Sequence, residues 1–154
     1  MEFAHTEWLK KPCNLVLIGP TGVGKTHIAH ALCHDAIMKG QQALSVTIFD
    51  LTAKLSRARS IYTLIEYYAK LKILCLDEMG YAFPTKEQAD AIFQIISKRA
   101  EIGTTLVTTN LIPSQWGKIF DTVTASAILD RLSMNGQFLT FEGRSYRSRR
   151  QAGT

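Results

Sequence analysis

Gly19-Pro20-Thr21-Gly22-Val23-Gly24-Lys25-Thr26 stands between a short apolar run, Leu15–Ile18, and a helix-period segment, Ile28–Ile37. Every fixed position of the phosphate-binding pattern G-x-x-x-x-G-K-[ST] is met. The chemistry requires these residue types. Gly22 and Gly24 let the backbone turn so that successive N–H groups converge on phosphate oxygens. The start of the following helix adds its dipole and unpaired donors. Lys25 is expected to reach the β- and γ-phosphates as a point charge, and the Thr26 hydroxyl to sit on Mg2+. ATP with magnesium is the ligand this loop implies.

Working outward, five short β-rich runs appear: Leu15–Gly19, Ala43–Phe49, Ile73–Asp77, Thr105–Thr109 and Gln137–Phe141. Several are apolar throughout, as parallel strands covered on both faces are. Helical segments alternate with them. Lys86–Ile102 carries Ala89, Ile92, Phe93, Ile96 and Ala100 on one stripe, opens with the Thr85/Gln88 capping box and stops at Gly103. Lys25–Lys39 closes at Gly40, Asp50–Lys72 reads as two short helices broken near Arg59–Ser60, and Ala125–Leu132 reads as another. Alternating strands and helices imply right-handed crossovers. The fold class is α/β: a three-layer αβα P-loop NTPase of the ASCE type with a five-stranded parallel sheet.

Ile73-Leu74-Cys75-Leu76-Asp77-Glu78 is an apolar strand ending in two carboxylates. Asp77 is expected to complete the metal site begun by Thr26, and Glu78 to orient and polarise an attacking water. Asn110 tips the next run, where a polar side chain would lie beside the γ-phosphate.

Composition narrows the setting. A chain of 154 residues suits one domain, and at roughly 68–70% burial of its unfolded surface such a domain needs no staple. The longest apolar runs are strand-length, so no membrane segment is expected. No charged-then-apolar leader opens the chain, and Cys13, Cys33 and Cys75 share no ligand or disulfide spacing. Reduced thiols in a cytoplasmic protein are the reading. A net charge of +5 suits a partner with phosphates. Lys54, Arg57 and Arg59 lie in a stretch without acids and could contact DNA, or simply face solvent. Arg144, Arg147, Arg149 and Arg150 crowd the end. His27, His30 and His34 recur at helical spacing, which reads as a helix surface sooner than a metal site. Trp8 and Trp116 read as packing residues.

With these elements in order, the chain resembles AAA+ ATPases. More narrowly it is similar to the IstB family of transposition helper ATPases, close to DnaC-type helicase loaders. The resemblance rests on the phosphate loop and its helix, Leu76-Asp77-Glu78-Met79-Gly80-Tyr81, Thr109-Asn110-Leu111, Trp116-Gly117-Lys118-Ile119-Phe120, Ala127-Ile128-Leu129-Asp130-Arg131-Leu132, and Glu142-Gly143-Arg144-Ser145-Tyr146-Arg147. It implies a single AAA+ core over residues 1–154 without the family's N-terminal extension, since only Met1–Asn14 precede the first strand. The stretch between Phe49 and Asp77 looks slightly short for the family. The resemblance further implies Asn110 as first sensor, Arg131 as arginine finger toward a neighbouring subunit, and Arg147 as a second sensor acting in cis. It implies an ATP-hydrolysing protein that forms a homo-oligomer on DNA and serves a transposase, or alternatively a replicative helicase. A small-molecule kinase would need an acceptor pocket and an arginine-rich lid, neither evident; a nucleotide-dependent binding module with little turnover is the third class.

Overall fold

Leu15, Val16, Leu17 and Ile18 are buried on both faces of one strand, as their unbroken apolar run implies. That strand, β1 (Asn14–Ile18), sits inside a five-stranded sheet in the computed structural model, which describes residues 11–142. The chain continues through α1 (Lys25–Met38), β2 (Ala43–Thr47), α2 (Ile48–Arg57), α3 (Ile61–Ala69), β3 (Ile73–Met79), α4 (Lys86–Arg99), β4 (Thr104–Thr109), a 3₁₀ turn at Pro113–Lys118, α5 (Thr122–Ser133) and β5 (Gly136–Thr140). The sheet order is β2-β3-β4-β1-β5, and every pairing is parallel.

Strand alternation sorts the core into two layers. Leu15, Leu17, Ile73, Cys75 and Leu106 pack under α1, against Ala29, Cys33 and Ala36. Val16, Ile18, Leu74, Leu76 and Val107 face the other helices, against residues such as Leu51, Ile65, Ile92 and Ile128. All five expected strands form, and their ends shift by one or two residues. Two ends shift by two residues: β3 runs on to Met79, and β2, expected to run to Phe49, stops at Thr47. Thr47 accepts a hydrogen bond from the Asp50 amide, so Ile48 begins α2 and the apolar Ile48-Phe49 pair belongs to its first turn. The break between the two short helices falls where expected, with Ser60 capping α3 through the Thr63 amide. The Thr85/Gln88 capping box opens α4 as expected, and Gln88 also reaches across to Thr52 O and Ser56 Oγ, tying α4 to α2.

The α4 stripe is as expected in part and extends beyond the expected residues. Ala89, Ile92 and Ile96 are buried as expected, but Ala91, Ile95 and Arg99 are buried with them while Phe93 and Ala100 are only half-buried. Arg99 is fully enclosed with a distinct job. Its guanidinium donates to Leu71 O at 2.6 Å, Tyr68 O at 2.9 Å, Thr104 O at 2.7 Å and Thr105 Oγ1 at 2.8 Å. One side chain thus satisfies carbonyls at the end of α3 and at the starts of β3 and β4, groups that helix ends and strand entries leave open. Burial pushes it down to about 10, so it stays charged at neutral pH.

Candidate functional site

Glycines at positive φ, Gly22 at 89° and Gly24 at 92°, shape the loop between β1 and α1. A side chain at either would be strained, which is why the motif fixes glycine at Gly24 and why glycine also suits the variable position at Gly22. Gly24 is also the N-cap of α1, so the turn that exposes the loop amides feeds directly into the helix. The Gly19 amide donates to Thr109 O at 3.0 Å, which pins the loop to the tip of β4. Lys25 is largely buried, with Nζ donating to Gly19 O at 2.5 Å and Pro20 O at 2.8 Å. Desolvation pulls its ammonium below the usual lysine value, partly offset by the Asp77 carboxylate.

The tip of β3 comes to meet this loop. Thr26 Oγ1 donates to Asp77 Oδ1 at 3.0 Å, and Thr108 Oγ1 donates to the same oxygen. Asp77 is buried on the α1 side, as strict alternation from Ile73 and Cys75 requires. Alternation continued by one residue would drive Glu78 into the layer that holds Leu74 and Leu76. A bulge prevents it. Leu76 pairs with Val107 and Met79 with Thr109, so Asp77 and Glu78 together face Thr108 alone. Met79 then takes the core position, and Glu78 is exposed at φ 57°. The Glu78 amide is held by Thr108 Oγ1 at 2.9 Å. A non-glycine residue in this region costs about 1–3 kcal/mol, a strain typical of functional sites.

Together these groups wall an open cavity of about 360 Å³. Gly22, Gly24, Lys25 and Thr26 line it from the loop and the start of α1, and Glu78, Tyr81 and Thr108 from the ends of β3 and β4 and the turn after β3. Asn110 stands just behind, one residue past β4. Its Oδ1 is buried with no hydrogen-bond partner and presses on Gly80, where any Cβ would run into it. Gly80 has φ 115°, so the chain turns sharply there and delivers Tyr81 to the cavity.

The structure therefore brings Gly19–Thr26, Asp77 and Glu78 together, with Asn110 adjacent. Arg131 is exposed on the last turn of α5, and Lys54, Arg57 and Arg59 are exposed around the end of α2. Arg147 and Trp8 lie outside the described residues. Trp116 is a packing residue, buried with Nε1 donating to Leu111 O at 3.0 Å. The three histidines diverge. His27 lines the cavity, His30 lies 3.0 Å from Ser45 Oγ and 3.7 Å from Asp77 Oδ2, and His34 is exposed. Among the described residues no three His, Cys, Asp or Glu side chains gather as a metal cage. Cys13, Cys33 and Cys75 are free thiols; burial pushes Cys33 up to about 11 and raises Cys75 as well.

Thr108 and Tyr81 are the site residues that sequence reasoning missed. Thr108 is one of four threonines in β4, and nothing in that run marks it out. Tyr81 falls in the stretch that carries the family resemblance, a signal that could have singled it out.

Comparison with known proteins agrees with this geometry. The family profile described as "IstB-like ATP binding protein" matches residues 1–154. A protein named for ATP binding in insertion sequence IS21 of Pseudomonas aeruginosa is 35% identical over 158 residues, covering 99% of this chain and 60% of that one. Its counterpart in insertion sequence IS232 of Bacillus thuringiensis subsp. berliner is 34% identical over 151 residues, covering 96% and 60%. The chain thus spans about three fifths of the length of these curated relatives. Among solved structures, DnaI has a TM-score of 0.76 at 23% identity, over 91% of this chain and 79% of that one. The DnaC helicase loader has 0.74 at 22%, over 92% and 85%. At these identities the likeness speaks for the fold alone, a parallel five-stranded α/β domain with a phosphate loop. No described helix is long and apolar enough to cross a membrane.

Proposed function

This chain belongs to the family of IstB-like ATP-binding proteins, and from that premise we propose that it hydrolyses ATP and assembles on DNA in an ATP-dependent way to assist a transposase. One observation carries the catalytic part: the bulge that keeps Asp77 buried against Thr26 while aiming Glu78 into the same cavity. A purely structural strand end would have no use for a strained, exposed glutamate beside a phosphate loop.

In this reading the loop amides and Lys25 offset phosphate charge. Thr26 and Asp77 offer two hard oxygen donors joined by one hydrogen bond, a pair that suits magnesium held between protein and phosphates. When bound, the ion would neutralise charge developing on the phosphates. Glu78 orients and polarises the attacking water, and Asn110 supports it. Arg131 is exposed and free to reach the site of a neighbouring copy, and Arg147 acts on the chain's own nucleotide. Lys54, Arg57 and Arg59 present positive charge to DNA phosphates. The names of the relatives favour a transposase over a helicase as client, since they belong to insertion sequences.

Turnover measured across protein concentration, with and without DNA, tests the proposal. Turnover per chain is expected to rise steeply with concentration and further with DNA. Arg131→Ala should keep ATP binding and lose the stimulated turnover, by about 10³-fold or more if it acts as an arginine finger. Intact stimulated turnover in Arg131→Ala would refute the shared site.

A further inference from the structure

Among the described residues Tyr81 is the one Phe, Tyr or Trp side chain that lines the phosphate cavity, and it has no part in the proposed hydrolysis. Its side chain is half exposed, so core packing gives no reason for its place. Its hydroxyl lies 2.5 Å from Thr21 Oγ1, a bond that spans from the β3–α4 connection to the phosphate loop. Three features fix which end of a nucleotide it would meet. Tyr81 belongs to the same turn as Glu78, its amide donating to Glu78 O at 3.3 Å. Glu78 lines the same cavity as Lys25 and Thr26, and reaches it from the end of β3 rather than from the phosphate loop. Gly80, packed on Asn110, sets the direction in which the chain leaves that turn. The phenol therefore stands at the terminal-phosphate end, with the water-orienting glutamate.

From this we infer that Tyr81 is a specificity-determining residue that reads the terminal phosphate, with Thr21 as its positioning partner. A phenol has one proton to donate and lone pairs to accept with. Thr21 donates its hydroxyl proton to Tyr81 Oη, and Tyr81 donates its own to a γ-phosphate oxygen. The relay moves no covalent bond and needs no other group. A nucleoside diphosphate has no oxygen at that place, so the bond exists with ATP and is missing with ADP. Hydrogen bonds to charged groups are the strong ones, which makes a single hydroxyl enough to bias the site.

The inference rests on the nucleotide reading and is tested so that the two can fail separately. Affinities for the non-hydrolysable analogue AMPPCP and for ADP, each with magnesium, are measured by calorimetry on the whole chain and on Tyr81→Phe. Removal of the hydroxyl alone should lower the affinity ratio of analogue to ADP about tenfold, the size of one charge-assisted bond. Thr21→Val should lower the ratio less, about threefold for a positioning role, and should add nothing in the Tyr81→Phe background. If Tyr81→Phe does not fold, the Thr21→Val ratio decides alone. An unchanged ratio, or an equal change for both nucleotides, overturns the inference while leaving nucleotide binding intact. A native chain that binds neither nucleotide overturns the underlying reading instead.

Discussion

The two ends of β3 and β4 are built on opposite principles. At the entry end, Arg99 is fully enclosed and its donors are met by carbonyls of Tyr68, Leu71 and Thr104 and by Thr105 Oγ1. At the exit end, Glu78 holds a left-handed φ, Asn110 Oδ1 is buried without a partner, and Gly80 leaves no room for a Cβ. At the entry end the Arg99 donors are met, whereas at the exit end one buried acceptor goes unmet and one non-glycine residue is strained, beside the satisfied Asp77 and Thr108. Saturated groups lower the energy of one arrangement, whereas under-satisfied ones are available to a ligand. The entry end is where the buried Arg99 network ties α3, β3 and β4 together, and the exit end is where the proposed chemistry would take place.

That contrast can be broken from either side. The largest expected effect is Arg99→Met, which fills much of the volume yet abandons several buried carbonyls. Stability in denaturant titration should fall by about 3–5 kcal/mol, with nucleotide affinity of the remaining folded chain little changed. A loss under 1 kcal/mol would mean that the guanidinium network is dispensable. Gly80→Ala should act in the reverse sense. At φ 115° and against Asn110 it costs about 1–3 kcal/mol of stability, and it displaces both Asn110 and the Glu78–Tyr81 turn. Turnover should drop by more than nucleotide affinity does. If both variants alter only stability, or both only turnover, the division between the two ends is wrong.

Much of this was legible in the linear chain, for reasons that particular residues make plain. The phosphate loop has fixed positions because a positive φ favours glycine at Gly24 and a Cβ at Gly19 would crowd Phe141 O. The apolar runs announced five strands because parallel strands are covered twice. Local caps decided the errors at the ends: Ile48 and Phe49 are apolar enough for a strand, and the Thr47 hydroxyl makes them a helix. Arg99 was missed as a core residue although it lies three positions after Ile96 and seven after Ile92, on the buried stripe; its charge disguised it. The bulge at Asp77–Glu78 has no signature in the sequence. It depends on Thr108, a neighbour across the sheet 30 residues from Glu78 and 31 from Asp77, whose hydroxyl holds both. Pairings of that kind are visible only once the strands lie side by side.

Everything proposed for this chain depends first on the loop between β1 and α1 gripping a triphosphate. Titration of ATP with magnesium into the folded chain, followed by calorimetry, measures that grip directly. Saturable heat at one nucleotide per chain, lost in Lys25→Ala with the fold intact by thermal melting, is the predicted result. A folded native chain giving no heat with ATP or ADP, or Lys25→Ala binding as well as the native chain, would contradict it.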